Sequence, residues 1–220
     1  MIDAIILKGL LPKVFSSVEA PVRFEDSEVW LTSEFVLCKG CRICVCADSG
    51  SGKSSLLSFI YGIRNDYDGE ILFDNDNIRA FGVQKWCDVR SNAIALLPQE
   101  LRLFPELTVM QNLQLKNSIT GHKTQDQLLW LLERFGLREK ANDCLGMLSI
   151  GQQQRVAIIR TVCQPFDFIF LDEPVSHLDK RNNRIAAEII SEEAMSQGAG
   201  IVSTSVGNPL LLENAKSITL

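Results

Sequence analysis

No run of ~18 apolar residues, the length needed to cross a bilayer, occurs in this 220-residue sequence. The start, MIDAIILKGLLPKVF, is interrupted by Asp3, Lys8 and Pro12. It has no basic beginning, no continuous apolar stretch and no small-residue cleavage site, so it does not read as a secretory leader. The sequence therefore predicts a cytoplasmic chain without direct membrane insertion, whose contact with a membrane would run through a partner. A basic stripe is also missing: the net charge is -5, and Lys and Arg do not cluster. Proteins that grip phosphate backbones carry such clusters, so nucleic acid is not an expected partner. Internal repeats, low-complexity tracts and linkers are absent too, which predicts one compact domain over 1–220.

Cysteine is not scarce, and four of the seven crowd together at Cys38, Cys41, Cys44 and Cys46. Cys-x-x-Cys spacing suits thiolate ligation of a metal. The other reading is a buried strand, RICVCA, in which Cys44 and Cys46 point to one face as small hydrophobes. The strand reading is the stronger, because this segment feeds straight into a glycine-rich loop. A disulfide framework is not expected of a cytoplasmic chain.

Short β-rich segments recur at 42–47, 69–74, 92–97, 166–171 and 200–205, with helical patterns at 53–62, 124–135, 151–163 and 180–197. Strands alternating with helices predict an α/β fold around a mostly parallel core sheet. The first forty residues and 69–78 read as antiparallel strands beside that core. From about 100 to 163 helices dominate, which predicts an inserted helical subdomain.

Residues 47–55, Ala-Asp-Ser-Gly-Ser-Gly-Lys-Ser-Ser, stand after a strand and before a helix. Gly50 and Gly52 let the backbone turn its N–H groups toward phosphates, and the helix start adds the positive end of its dipole. Lys53 supplies charge to the β- and γ-phosphates, and the Ser54 hydroxyl is placed for Mg²⁺. The expected ATP contacts are Ser49, Gly50, Ser51, Gly52, Lys53, Ser54 and Ser55. Ala47 stands where G-x-x-x-x-G-K-[ST] usually begins with glycine.

FDFIFLDEP (166–174) is an apolar strand that ends in two carboxylates. Asp172 suits the Mg²⁺ shell, and Glu173 suits orienting or deprotonating the attacking water. LSIGQQQR (148–155) heads a helix with Ser149 as a plausible N-cap, leaving donors around Gly151 free for an anion. A second phosphate-binding helix start makes sense if it reaches a nucleotide held by another copy.

Taken in order, SGSGKSS, LLPQE, LSIGQQQR, FIFLDEP and SHLD resemble the nucleotide-binding domain of ABC ATPases, over nearly the whole chain. The resemblance implies a P-loop NTPase fold of the ABC type, with ATP and Mg²⁺ as ligands. It implies a sandwich dimer, with itself or with a paired ABC subunit, that hydrolyses ATP to drive a membrane permease. Gln99 would touch Mg²⁺ and the attacking water, acting beside Glu173 and Lys53. Ser149, Gly151 and Gln152 would meet the partner's nucleotide, and Asp179 would line the dimer interface. Phe15 sits where the family keeps an adenine-stacking aromatic, or else is core in an N-terminal strand. The stretch 99–115 resembles the lipoprotein-releasing and macrolide-exporter group.

Two departures stand out. Ile150 replaces the first glycine of the signature, and Ser205–Val206 stand where the family carries a γ-phosphate histidine. The only histidines are His122 and His177. Hydrolysis with Ser205 partly filling that role, and slow hydrolysis in a nucleotide-driven switch, both remain open. A soluble cofactor-assembly ATPase is the alternative to a transporter motor.

Overall fold

A computed structural model describes residues 1–16 and 24–220 of the chain. Two sheets organise it. Strands β1 (Ala4–Pro12), β2 (Phe35–Cys38), β4 (Tyr67–Phe73) and β5 (Asp76–Asn77) form an antiparallel sheet in the order β2-β1-β4-β5. Strands β3 (Arg42–Cys46), β6 (Ile94–Leu97), β7 (Phe168–Leu171), β8 (Gly200–Ser205) and β9 (Lys216–Thr219) form a parallel sheet in the order β6-β7-β8-β3-β9.

Every residue of β7 is buried, because this sheet is covered on both faces. Its side chains alternate: Phe168 and Phe170 join the cluster beneath the antiparallel sheet, while Ile169 and Leu171 join the helical cluster. Each such burial contributes about 1.5–3 kcal/mol. On the first face lies α1 (Lys53–Ile60), which buries Leu56, Leu57, Phe59 and Ile60. The other face receives α5 (Ile150–Thr161) and α6 (Lys180–Gln197), with Val156, Ile158, Ile159, Ile189 and Ile190 in the helical cluster.

The segment from 100 to 163 holds α3 (Val109–Asn117), α4 (Gln125–Arg134) and α5, and its β structure among the described residues is a single bridge, Thr108 to Cys144. Helices α3, α4 and α5 each begin with a capping box, on Thr108–Gln111, Thr124–Gln127 and Ser149–Gln152. Helix α2 (Val83–Asn92) and strand β9 go beyond the elements read from the sequence.

On β3, the Cys44 and Cys46 sulfurs lie on one face, 3.4 Å apart. Burial, with Cys46 as its neighbour, pushes the Cys44 thiol up to about 11, so it stays protonated at neutral pH. Among the described residues no group of three or more His, Cys, Asp or Glu side chains is arranged to hold a metal ion.

Candidate functional site

β3 stops at Cys46, and the chain turns through Gly50 (φ 81°) and Gly52 (φ 102°) into α1. Both glycines occupy left-handed backbone that side chains rarely adopt. Gly52 is also hemmed in: an added Cβ would stand 3.0 Å from the Trp30 ring and 3.4 Å from that of Phe15. Trp30, 1% exposed, donates its indole N–H to the Ser51 carbonyl at 3.2 Å. A tryptophan distant in sequence thus braces the loop tip. Lys53 is buried and donates from Nζ to the carbonyls of Ala47 and Asp48, each at 2.7 Å. Ser49 and Ser54 are exposed, while the Ser55 hydroxyl accepts from Arg64 at 2.9 Å. Phe15 sits in a 3-10 turn, Lys13–Phe15, beyond the end of β1 rather than within the strand. It is half-buried, with its ring 5.2 Å from that of Phe24.

Parallel strands deliver their ends to one edge, where crevices form in open α/β sheets. Register pairs Leu97 with Leu171, Leu171 with Ser203, and Cys46 with Ser205. Gln99, Asp172–Glu173, Ser205 and the phosphate loop therefore emerge side by side. Asp172 is buried and accepts from the Thr204 hydroxyl at 2.7 Å. The Thr204 oxygen also accepts the Glu173 N–H at 3.0 Å, so one side chain fixes both acidic residues. Glu173 is held at φ 48°, strained backbone of a kind that clusters at functional sites. Gln99 is exposed on the loop after β6. That loop continues through Leu101 and Arg102, whose carbonyls accept from Arg160 at 2.6 and 2.8 Å.

Ser205 is 3% exposed, and its hydroxyl is buried without a hydrogen-bond partner among the described residues. The Ser51 hydroxyl, in the phosphate loop, is in the same condition. Two orphaned donors at this edge, a buried carboxylate, a buried ammonium and an exposed Ser54 hydroxyl suit a polyanion with its divalent cation. Few protein ligands are needed there, because phosphate oxygens complete a Mg²⁺ shell.

Ser149, Gly151 and Gln152 open α5. Ser149 Oγ accepts the Gln152 N–H at 3.4 Å, and Gln152 Oε1 accepts the Ser149 N–H at 2.9 Å. No hydrogen bond joins them to the phosphate loop among the described residues; Gly151 packs against the loop after Glu173. An added Cβ on Gly151 would come within 2.9 Å of the His177 carbonyl. Asp179 caps α6, accepting from the Asn182 backbone N–H and side-chain amide, both at 2.8 Å. The Asn182 backbone N–H is the main influence holding the Asp179 carboxyl below its usual range.

The family model for the ABC transporter matches residues 32–176, which contain the phosphate loop, Gln99, the Ser149–Gly151 helix start and Asp172–Glu173. The chain belongs to the ABC transporter family. Among relatives of this ABC cassette, the xylose import ATP-binding protein XylG of Pectobacterium atrosepticum is 33% identical over 190 residues. That alignment covers 83% of the chain and 35% of the relative. XylG of Escherichia coli K12 is 34% identical over 158 residues, covering 68% and 30%. The chain thus spans about a third of the length of these curated relatives. Among solved structures, the cassette shares its fold with the dimeric, ADP- and phosphate-bound ATP-binding cassette MJ0796. There the TM-score is 0.70 and the identity 22%, over 93% of this chain and 88% of that one. It also shares the fold of an ABC transporter ATP-binding protein from Pyrococcus furiosus, at TM-score 0.72 and 21% identity over 98% and 97%. XylG is an import ATP-binding protein, and the finer likeness to the lipoprotein-releasing group rests on residues 99–115 alone.

Two residues of the cassette's site are not marked in the sequence: Trp30 and Thr204. Each acts from a position remote in the chain. The available signals were slight: a lone Trp in a polar stretch, and a hydroxyl at the end of an apolar strand.

Proposed function

We propose that this ABC cassette binds Mg²⁺-ATP at the edge formed by the phosphate loop and Asp172–Glu173 and hydrolyses it in a head-to-tail dimer that drives a membrane permease. The observation that supports this reading most is the strand register, which delivers the loops carrying Lys53, Gln99 and Asp172–Glu173 to one edge, while the Ser149–Gly151 helix start makes no hydrogen bond to the phosphate loop among the described residues. In this reading Lys53, the N–H groups of Gly50 to Ser55 and the start of α1 bind the phosphates. Ser54, Asp172 and Gln99 would hold Mg²⁺, which when bound neutralises charge on the phosphate oxygens. Glu173 orients the attacking water and accepts its proton. Thr204 keeps the two carboxylates in distinct places, Asp172 buried and Glu173 at the crevice. Ser149, Gly151 and Gln152 reach the partner's nucleotide, Asp179 lies at the interface, and Phe15 packs against adenine.

The permease would dock where the helical segment meets the core. A groove of about 300 Å³ there is lined by Tyr61, Ile63, Phe104, Leu115 and Ile119, with Lys116 and Arg160 beside them. Arg160 also grips the loop that follows Gln99, so pressure on the groove would be felt at the site. No helix among the described residues is long and apolar enough to cross a membrane. The cassette would then sit peripherally at the inner face of the membrane, held by its permease. A slower, switch-like ATPase is the second reading, favoured by Ser205 in place of a histidine.

Purified chain with Mg²⁺-ATP tests the assignment. Glu173→Gln is expected to bind ATP and lose hydrolysis by at least the order of 10²-fold. A variant as fast as wild type would remove Glu173 from its role.

A further inference from the structure

Gln154 is 1% exposed on the second turn of α5, and its amide is fully engaged by the loop that carries Glu173. Nε2 donates to the Glu173 carbonyl at 3.2 Å and to Ser176 Oγ at 3.2 Å, while Oε1 accepts the His177 N–H at 2.9 Å. The amide can point only one way: a carbonyl must face the N–H of His177, and an N–H must face the carbonyl of Glu173. The same loop rests against the first turn of the helix, where Gly151 leaves no room for a side chain beneath the His177 carbonyl. A second tie runs alongside. Arg155 donates to the Gly151 carbonyl at 3.2 Å and to Asn182 Oδ1 at 3.3 Å, and Asn182 in turn holds Asp179.

We propose that Gln154 is a positioning residue for hydrolysis: it fixes the backbone of Glu173 and makes that backbone follow the start of α5. The proposal rests on the dimer reading, in which that helix start meets the nucleotide of the partner. Occupancy of the partner's site then sets the geometry of Glu173 in this chain, and by thermodynamic reciprocity the two sites influence each other's affinity. Without the clamp, the positive-φ Glu173 is free to relax away from its catalytic position.

Two near-isosteric variants separate this from mere support of the fold. Gln154→Glu keeps the acceptor for His177 and loses the donor to Glu173; Gln154→Met loses both. Hydrolysis by the full chain, ATP affinity and melting temperature are measured for each. The expected result is a kcat lowered by up to the order of 10²-fold, as small misplacements cost. Affinity for the first ATP bound is expected to stay unchanged, and the Hill coefficient for ATP to fall to one. Equal kcat and equal cooperativity in the variants would overturn the proposal while leaving the dimer reading intact. A parallel loss of ATP affinity and melting temperature would also overturn it, in favour of a purely structural role. Absence of cooperativity in wild type would instead overturn the dimer reading, and the coupling with it. Should neither variant fold, Ser176→Ala, which removes one part-buried bond of the clamp, is expected to lower kcat by a smaller factor; full kcat there would count against the clamp.

Discussion

Ser205 poses the sharpest question at the scale of single residues. Its hydroxyl is buried without a hydrogen-bond partner among the described residues, so Ser205→Ala removes an uncompensated polar group and should leave the melting temperature unchanged or raised. If the hydroxyl assists hydrolysis, the same variant lowers kcat. Ser205→His should speed a slow enzyme, since a transition-state contact is worth on the order of 10²–10³ in rate. A more stable Ser205→Ala variant with full activity would show that Ser205 has no part in catalysis. Phosphate-loop glycines, Lys53 and the Asp172–Glu173 pair were legible in the sequence, because their chemistry is carried by neighbours in the chain. Trp30 and Thr204 were not, because each acts across a fold that has to form first: Thr204 meets Asp172 only through strand register.

The best-marked elements are the helices with side-chain caps. Thr124 and Gln127 close a capping box on α4, which buries Leu128, Leu131 and Leu132. Thr124→Ala should cost about 1 kcal/mol of stability in chemical denaturation and leave hydrolysis unaltered, as the cap lies outside the site. An unchanged denaturation midpoint would mean that packing alone sets the start of α4. Helix α6 matched its predicted span, Lys180–Gln197, since Asp179 caps one end and Gly198 in left-handed backbone closes the other. By contrast α2 has no side-chain cap and buries only Val89, and β9 buries only Ile218, so neither carries a hydrophobic period to read. The expected strand at 92–97 begins two residues later, because Asn92 still belongs to α2.

Across the whole molecule, two apolar clusters lie on opposite faces of one parallel sheet. The helical segment is tied to α6 by Lys123, whose ammonium contacts both oxygens of Glu193 at 2.7 and 2.6 Å. Beside it, His122 Nε2 is buried without a partner among the described residues. Burial, followed by the charge of Lys123, lowers the His122 pKa from its ordinary 6.5. The unfolded chain therefore takes up this proton first, and stability is lost as pH falls below about 6.5 toward the lowered folded value. Melting temperatures from pH 7.5 to 5.5 should decline, and His122→Asn should flatten the decline. An identical slope in that variant would assign the acid sensitivity elsewhere.

In the proposed dimer the phosphate-loop edge of one copy and the Ser149–Gly151 helix start of another would complete a single hydrolytic site. Steady-state hydrolysis of Mg²⁺-ATP by purified chain, over a wide range of protein concentration, tests this most directly. The rate is expected to rise more steeply than concentration until the dimer saturates, and to vanish in Glu173→Gln. A rate strictly proportional to concentration down to the most dilute samples, with full activity in Ser149→Ala, would contradict it.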